Sequence, residues 1–241
     1  MSTITLVTGA NQGIGLATAM RLAKEHAHHV IIASRNAEAG AKAAESLQAE
    51  GHKAFSVQLD LTSQSSIQSA ATTIKDEFGR LDVLVNNAGV LLDGKDANKS
   101  FHDLLTETFT TNVVGTADLT EAMIPLLRLS PLPRLIFVSS RMGSLHQATV
   151  RDTPFFAIDY KVYDASKAAT NMLALNYARI LEDVGARVNV VCPGLVSTNL
   201  TGYTQWGTST EVGAQRIVEL ATAGKDGPTA TFSDSNGEIA W

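Results

Sequence analysis

The sequence predicts an α/β fold: one doubly wound domain with a parallel sheet of about seven strands and helices on both faces. Three observations lead there. Short β-rich runs alternate with longer helix-like stretches along all 241 residues. The strand runs are largely apolar and show no strict alternation, as strands buried on both faces should. No linker, low-complexity tract or internal repeat breaks the rhythm, so the connections read as right-handed crossovers within a single sheet.

The elements follow in order. A β-rich run at 3–8 ends at Gly9. A helix at 14–28 places Leu16, Met20 and Ala23 on one apolar face. A buried strand at 30–33 precedes an Ala- and Glu-rich helix at 37–50, which Gly51 stops. A third strand covers 54–61. The helix at 65–77 has Thr62 or Ser63 as its cap, and a fourth strand lies at 81–85. Residues 101–127 read as mostly helical, with Pro125 disturbing the end. A fifth strand at 135–138, a long helix at 163–182 and a sixth strand at 187–192 come next, halted by Pro193-Gly194. A helix at 210–223 leads to an edge strand near 229–232. The irregular stretches 91–100, 142–162 and 197–209 all follow strand ends on the carboxyl side of the sheet, where open α/β sheets bind ligands.

Composition narrows the function. Nineteen basic residues against 24 acidic ones give a net charge of −5, and no basic patch marks a nucleic-acid surface. No apolar run approaches the ~18 residues of a membrane span. The first basic side chain is Arg21, so the start does not read as a signal peptide. Cys192 is the single cysteine, which excludes an internal disulfide and fits a reducing, cytoplasmic setting. It is expected to be a small buried residue. His26, His28 and His29 are expected to place partial positive charge at a helix end, and no metal is expected, because no acidic or cysteine partner sits at ligand spacing. The stretch 93–99 reads as a solvated loop.

The turn Thr8-Gly9-Ala10-Asn11-Gln12-Gly13-Ile14-Gly15 joins the first strand to the first helix. Its glycines allow a tight turn and close approach to a pyrophosphate, and the helix N-terminus offers N–H donors. The spacing is Gly-x-x-x-Gly-x-Gly, and its place between strand and helix makes Gly9, Asn11, Gln12, Gly13, Ile14 and Gly15 a cofactor site rather than an ordinary turn. The second strand ends Ala33-Ser34-Arg35-Asn36. An acid there would bind the ribose 2′-hydroxyl of NAD. Instead Ser34 does not repel phosphate, and Arg35 can hold a 2′-phosphate by charge-assisted bonds. The predicted cofactor is NADP(H).

Tyr163 and Lys167 stand four residues apart, hence on one helix face. A nearby cation favours the phenolate, so the pair can work as an acid or base near neutrality. Alone, such a pair is usually a surface contact. It is accompanied by Asn86-Asn87-Ala88-Gly89 after the fourth strand, Ser139-Ser140-Arg141-Met142-Gly143 after the fifth, and Pro193-Gly194 after the sixth, all on one sheet edge.

With these motifs the chain resembles the short-chain dehydrogenase/reductases from Thr8 to its C-terminal strand. The resemblance implies a Rossmann fold and a set of roles. Tyr163 matches the catalytic acid/base, and Lys167 the lysine that lowers its pKa and bonds the nicotinamide ribose. Ser140 matches the serine that bonds the substrate oxygen, preferred to Ser139 because Ser140 and Gly143 complete Ser-x-x-Gly. Asn112 matches the asparagine that steadies a proton-relay water. Tyr160 is a decoy, since Asp164 stands where a lysine is needed. Asp60 and Leu61 match the adenine contacts, Asn87, Ala88 and Gly89 the cofactor lining, and Pro193, Gly194, Val196 and Thr198 the segment beside the nicotinamide.

The chain is most similar to the NADPH-dependent carbonyl reductases of that family. This implies reversible reduction of a ketone, aldehyde or quinone to an alcohol, with a small-molecule substrate. Phe155, Phe156, Tyr160, Tyr203 and Trp206 are expected either to wall its pocket or to pack on the surface. A homo-oligomer, dimer or tetramer, and a monomer both remain open. Two other functions compete: a non-catalytic NADP(H)-binding regulator, which would more often lack Ser140, Tyr163 or Lys167, and a dehydration, epimerisation or cyclisation step on the same fold.

Overall fold

A computed structural model describes residues 2–241. Strands β1 (Ile4–Thr8), β2 (His29–Ser34), β3 (Ala54–Gln58), β4 (Val83–Asn86), β5 (Arg134–Val138), β6 (Arg187–Val191), β7 (Thr231–Asp234) and β8 (Gly237–Glu238) form one sheet in the order β3-β2-β1-β4-β5-β6-β7-β8. The first seven run parallel, and β8 pairs antiparallel with β7. The expected edge strand is therefore covered by one further short strand.

The helices are α1 (Gly13–His26), α2 (Ala37–Ala49), α3 (Gln64–Phe78), α4 (Phe101–Phe109), α5 (Thr116–Leu127), α6 (Lys161–Ile180) and α7 (Thr210–Ala221). Successive strand residues point to opposite faces, and two cores result. Leu6, Ile31, Leu84, Leu135 and Phe137 pack with Ile67 and Ile74 of α3, Leu119 and Met123 of α5, and Ala174 of α6. Val7, Val30, Ile32, Val85 and Ile136 pack with Leu22 of α1, Leu47 of α2 and Ile217 of α7. Each fully buried aliphatic side chain contributes roughly 1.5–3 kcal/mol to holding the layers together.

Four local expectations need correction. The helix expected over 101–127 is split by a π-helical segment, Thr110–Gly115. Here Asn112 turns its side chain to another loop, and Gly115 packs so tightly that a Cβ would come within 2.0 Å of Leu61 O. Pro125 lies inside α5, and the helix runs two residues past it to Leu127. The long helix α6 starts at Lys161, so Tyr163 lies inside its first turn. Lastly, α1 ends at His26, and His28 is buried against Thr5, with Thr5 Oγ1 and His28 Nδ1 2.8 Å apart. Burial pushes the His28 imidazole down to about 4 and lowers His29 as well, so neither carries the expected partial charge.

Candidate active site

Between β1 and β4 the strand order reverses, which opens a crevice at their carboxyl ends. The turns leaving these two strands are stitched together. Thr8 Oγ1 accepts from the amides of Asn87 (3.0 Å) and Ala88 (2.9 Å), and Asn87 Nδ2 donates to Thr8 O at 2.7 Å. Backbone approach is so close that a Cβ on Gly15 would lie 2.5 Å from Asn87 Nδ2 and 2.6 Å from Gly9 O. Gly9 and Gly13 both have positive φ, 63° and 59°, where a side chain is strained.

The residues here suit an anionic dinucleotide. The N-cap of α1, Gln12, makes no side-chain cap bond, and the first turn carries no acid, so the helix end keeps N–H donors and positive potential for a phosphate. Asn11 and Ile14 are half-buried in this turn. Ser34 is buried at the end of β2, and Arg35 beyond it is exposed. Gln58 Nε2 holds the Arg35 carbonyl at 3.2 Å. Asp60 accepts from the amide and hydroxyl of Thr62, which hold its carboxyl below the usual range, with Arg35 adding a smaller effect. Leu61 beside it is buried. On the far side, Thr198 sits over the first turn, since a Cβ on Gly13 would lie 3.5 Å from its methyl. Val196 is buried under Gly213 of α7, while Pro193 and Gly194, the latter at φ 79°, carry the chain from β6 toward Val196.

The polar cluster lies at the same edge. Ser140 opens the 3-10 turn Arg141–Gly143, its Oγ accepting from Met142 N at 3.2 Å and standing near enough to the Tyr163 phenol to lower its pKa. Ser139 is turned away, its hydroxyl directed to Lys167 O. Asn171, one turn past Lys167, donates to Gly143 O at 3.1 Å, and a Cβ on Gly143 would meet Lys167 C at 2.7 Å. The turn therefore sits flush on α6. Its outer side is strapped by the C-terminal residues: Arg141 pairs with Asp234, Ser144 Oγ donates to Ala240 O, and His146 N donates to Trp241 O at 2.9 Å.

Tyr163 and Lys167 are both buried. Lys167 Nζ lies 5.6 Å from the Tyr163 ring centroid and donates to Val138 O at 2.9 Å. Burial pushes the ammonium down to about 8. The phenol is raised, first by burial and then by electrostatic repulsion from Cys192 and Asp164, while Ser140 opposes the rise. Burial is thus the leading influence on the phenol, and the Lys167 ammonium beside its ring gives its hydrogen bond to the Val138 carbonyl. Cys192 is buried beside the pair. The neighbouring Asp164 is half-buried with its Oδ1 unpartnered, and burial followed by Asp93 and Asp159 pushes its carboxyl up to about 7.

Asn112, at the heart of the π segment, is buried and fully engaged. Its Oδ1 accepts from Val90 N (2.8 Å), and its Nδ2 donates to Val90 O (2.9 Å) and Ser166 Oγ (3.0 Å). Its backbone carbonyl also accepts from Thr170 Oγ1 at 3.3 Å. Gly89 lies between Asn112 and Lys167, 3.2 Å and 3.5 Å from where its Cβ would be.

Asp93 escaped the sequence reading. It is buried rather than solvated, and its two oxygens accept from Val162 N (3.1 Å) and Tyr163 N (3.2 Å) in α6. A cap lent from so far upstream leaves no local pattern. The one hint is that α6 has no Ser, Thr, Asp or Asn at its own N-cap, which is Tyr160. Of the aromatic residues in the longer loops, Phe155 is half-buried, and Phe156 (45% exposed), Tyr203 (67%) and Trp206 (80%) face outward. The Arg151 guanidinium lies 5.7 Å over the Phe156 ring.

A glycine turn at the switch point of a doubly wound sheet, with Ser140 beside the buried Tyr163 and Lys167 at the same edge, defines a dinucleotide-dependent oxidoreductase. Comparison with known proteins narrows this. Residues 3–207 match the family model for short chain dehydrogenases. A short-chain dehydrogenase/reductase of Stachybotrys chlorohalonatus is 35% identical over 252 residues, covering 97% of this chain and 88% of the relative. Carbonyl reductase (NADPH) 1 of Sus scrofa is 30% identical, covering 99% and 94%. Among solved structures, salutaridine reductase from Papaver somniferum superimposes with a TM-score of 0.81 at 28% identity, covering 95% of this chain and 99% of that one. The chain belongs to the short-chain dehydrogenase/reductase family, oxidoreductases of the CH–OH/C=O kind that bind a nicotinamide cofactor and act on small molecules. Among the described residues, no helix is long and apolar enough to cross a membrane, and no group of three or more potential metal ligands clusters.

Proposed function

We propose that the protein is an NADP(H)-dependent carbonyl reductase, acting reversibly on a ketone, aldehyde or quinone, with Tyr163 as proton donor. The observation that carries this reading is the cluster of half-buried Ser140 with buried Tyr163, Lys167 and Asn112 at the edge where the glycine turn emerges. A bound nicotinamide supplies the hydride. The chain's own residues do the rest. Ser140 and Tyr163 direct two hydroxyls toward one substrate oxygen. Their hydrogen bonds strengthen as charge develops there, so they stabilise the transition state more than the ground state. Tyr163 Oη releases its proton to that oxygen as the alcohol forms. A raised phenol suits this direction, because it stays protonated until a far more basic alkoxide appears. Lys167, with an ammonium near 8, stabilises the tyrosinate left behind and can pass a proton back at neutral pH.

Arg35 supports the choice of NADP(H). It lies exposed at the end of β2 with no acid in the position that would bind a ribose diol. The name of the porcine relative includes NADPH. The test is consumption of NADPH, with NADH in parallel, against a panel of ketones, aldehydes and quinones. Turnover that prefers NADPH supports the proposal. Tight NADPH binding without turnover across the panel would instead support a regulator.

A further inference from the structure

We propose that Asp93 is a positioning residue for this reaction, its carboxylate fixing the first turn of α6 and with it the Tyr163 phenol. The inference rests on the role proposed for Tyr163. Helix α6 begins at Lys161 without a side-chain cap of its own. The first N–H groups of a helix have no internal partner, and an anion placed there is favoured by the helix dipole. Asp93 supplies that anion from the loop after β4. It engages two consecutive amides, and the second is the amide of Tyr163 itself. The reacting residue is thus held by its own backbone. Asp93 is only 7% exposed, so water competes little for these bonds.

The loop that carries Asp93 is itself anchored. Asn112 grips Val90 through both its amide and its carbonyl. Lys95 Nζ donates to Leu200 O at 3.2 Å, in the loop after β6. One short segment therefore links the cofactor-lining residues Asn87–Gly89, the Asn112 clamp and the start of α6. Loss of the Asp93 carboxylate would free the turn that sets where Tyr163 stands relative to Ser140. Small misplacements of a proton donor are costly, on the order of a hundredfold in rate for about 1 Å.

The experiment uses the full chain with Asp93→Ala, Asp93→Asn and, as a control in the same loop, Asp96→Asn, whose carboxylate is exposed and bonds only within its own turn. Three quantities are read: NADPH affinity by fluorescence, kcat and KM with an active carbonyl compound, and hydrogen exchange at the amides of Val162 and Tyr163 without ligand. Asp93→Ala should lower kcat about 10- to 100-fold, leave NADPH affinity within about threefold, and speed exchange at both amides. Asp93→Asn keeps one acceptor and should recover part of both effects, and Asp96→Asn should match the wild type. A folded Asp93→Ala protein with kcat within about twofold of an active wild type would overturn the role, as would a loss confined to cofactor affinity or to the folded fraction. Should Asp93→Ala fail to fold, a wild-type kcat in Asp93→Asn with unprotected amides would overturn it equally. A wild type inactive on every carbonyl tested would overturn the functional reading and this role with it, and the exchange data would show separately whether Asp93 holds the turn.

Discussion

Lys167→Met removes the most heavily desolvated cation of the site, and its effect on stability follows from the structure. The ammonium is buried with one strong acceptor, Val138 O, and its pKa falls from 10.5 to about 8 because burial disfavours the charged form. At about 1.4 kcal/mol per pH unit, holding the charge costs the fold about 3 kcal/mol at neutral pH. The lost hydrogen bond offsets about 1–2 kcal/mol of this, so Lys167→Met should be more stable at pH 7 by about 1–2 kcal/mol. The sign is fixed by proton counting. Between pH 8 and 10.5 the unfolded chain binds more protons than the native one, so wild-type stability rises with pH through this window, and the cost is present in full below it. The raised Tyr163 phenol works in the opposite direction only above its ordinary value of 10.0. Urea unfolding without cofactor, at pH 7 and pH 9.5, isolates the lysine. The gap between variant and wild type should narrow by about 2 kcal/mol over that interval. A variant no more stable at pH 7, or a gap independent of pH, would refute the reasoning. Such a gain would show that the lysine is kept for chemistry at a cost in stability.

Arg35→Asp should weaken NADPH binding about 10- to 100-fold, the worth of charge-assisted bonds to a phosphate, while NADH affinity holds or improves in paired fluorescence titrations. Gly15→Ala, whose new Cβ would lie 2.5 Å from Asn87 Nδ2, should leave a folded protein with at least about tenfold weaker binding of either nucleotide, because the turn must move off the phosphate position. His28 has a depressed pKa of about 4, so the unfolded chain binds its proton first and wild-type stability falls as pH drops from about 6.5 to 4. After discounting for solvent screening this amounts to about 1–2 kcal/mol, and denaturation of His28→Asn should show a shallower loss over that window.

The fold was legible because its signals are local. The β-rich run at β1, the apolar runs at β2, β4 and β5 and the glycines at the first turn each report on a few neighbouring residues, and their alternation with helices implies parallel crossovers in one sheet, though not the order of its strands. The Ser140, Tyr163 and Lys167 segments were visible for the same reason. What escaped was non-local. Asp93 caps a helix from another loop, and the π segment around Asn112 arises where Gly115 meets Leu61 and Asn112 reaches Val90. His28 looked like a helix-end charge because its burial against Thr5 depends on how β1 and β2 pair. The phenol's upward shift depends equally on burial, which residue spacing does not reveal.

The central claim is that Tyr163 donates the proton while hydride arrives from the nicotinamide, and isotope transfer tests it most directly. Wild type and Tyr163→Phe are each loaded with NADPH deuterated at the transferable position and given a carbonyl compound that the wild type reduces. The account predicts deuterium on the carbinol carbon of the wild-type product, and at least about a thousandfold slower transfer in Tyr163→Phe despite unchanged NADPH affinity. Near-native transfer in Tyr163→Phe would contradict it.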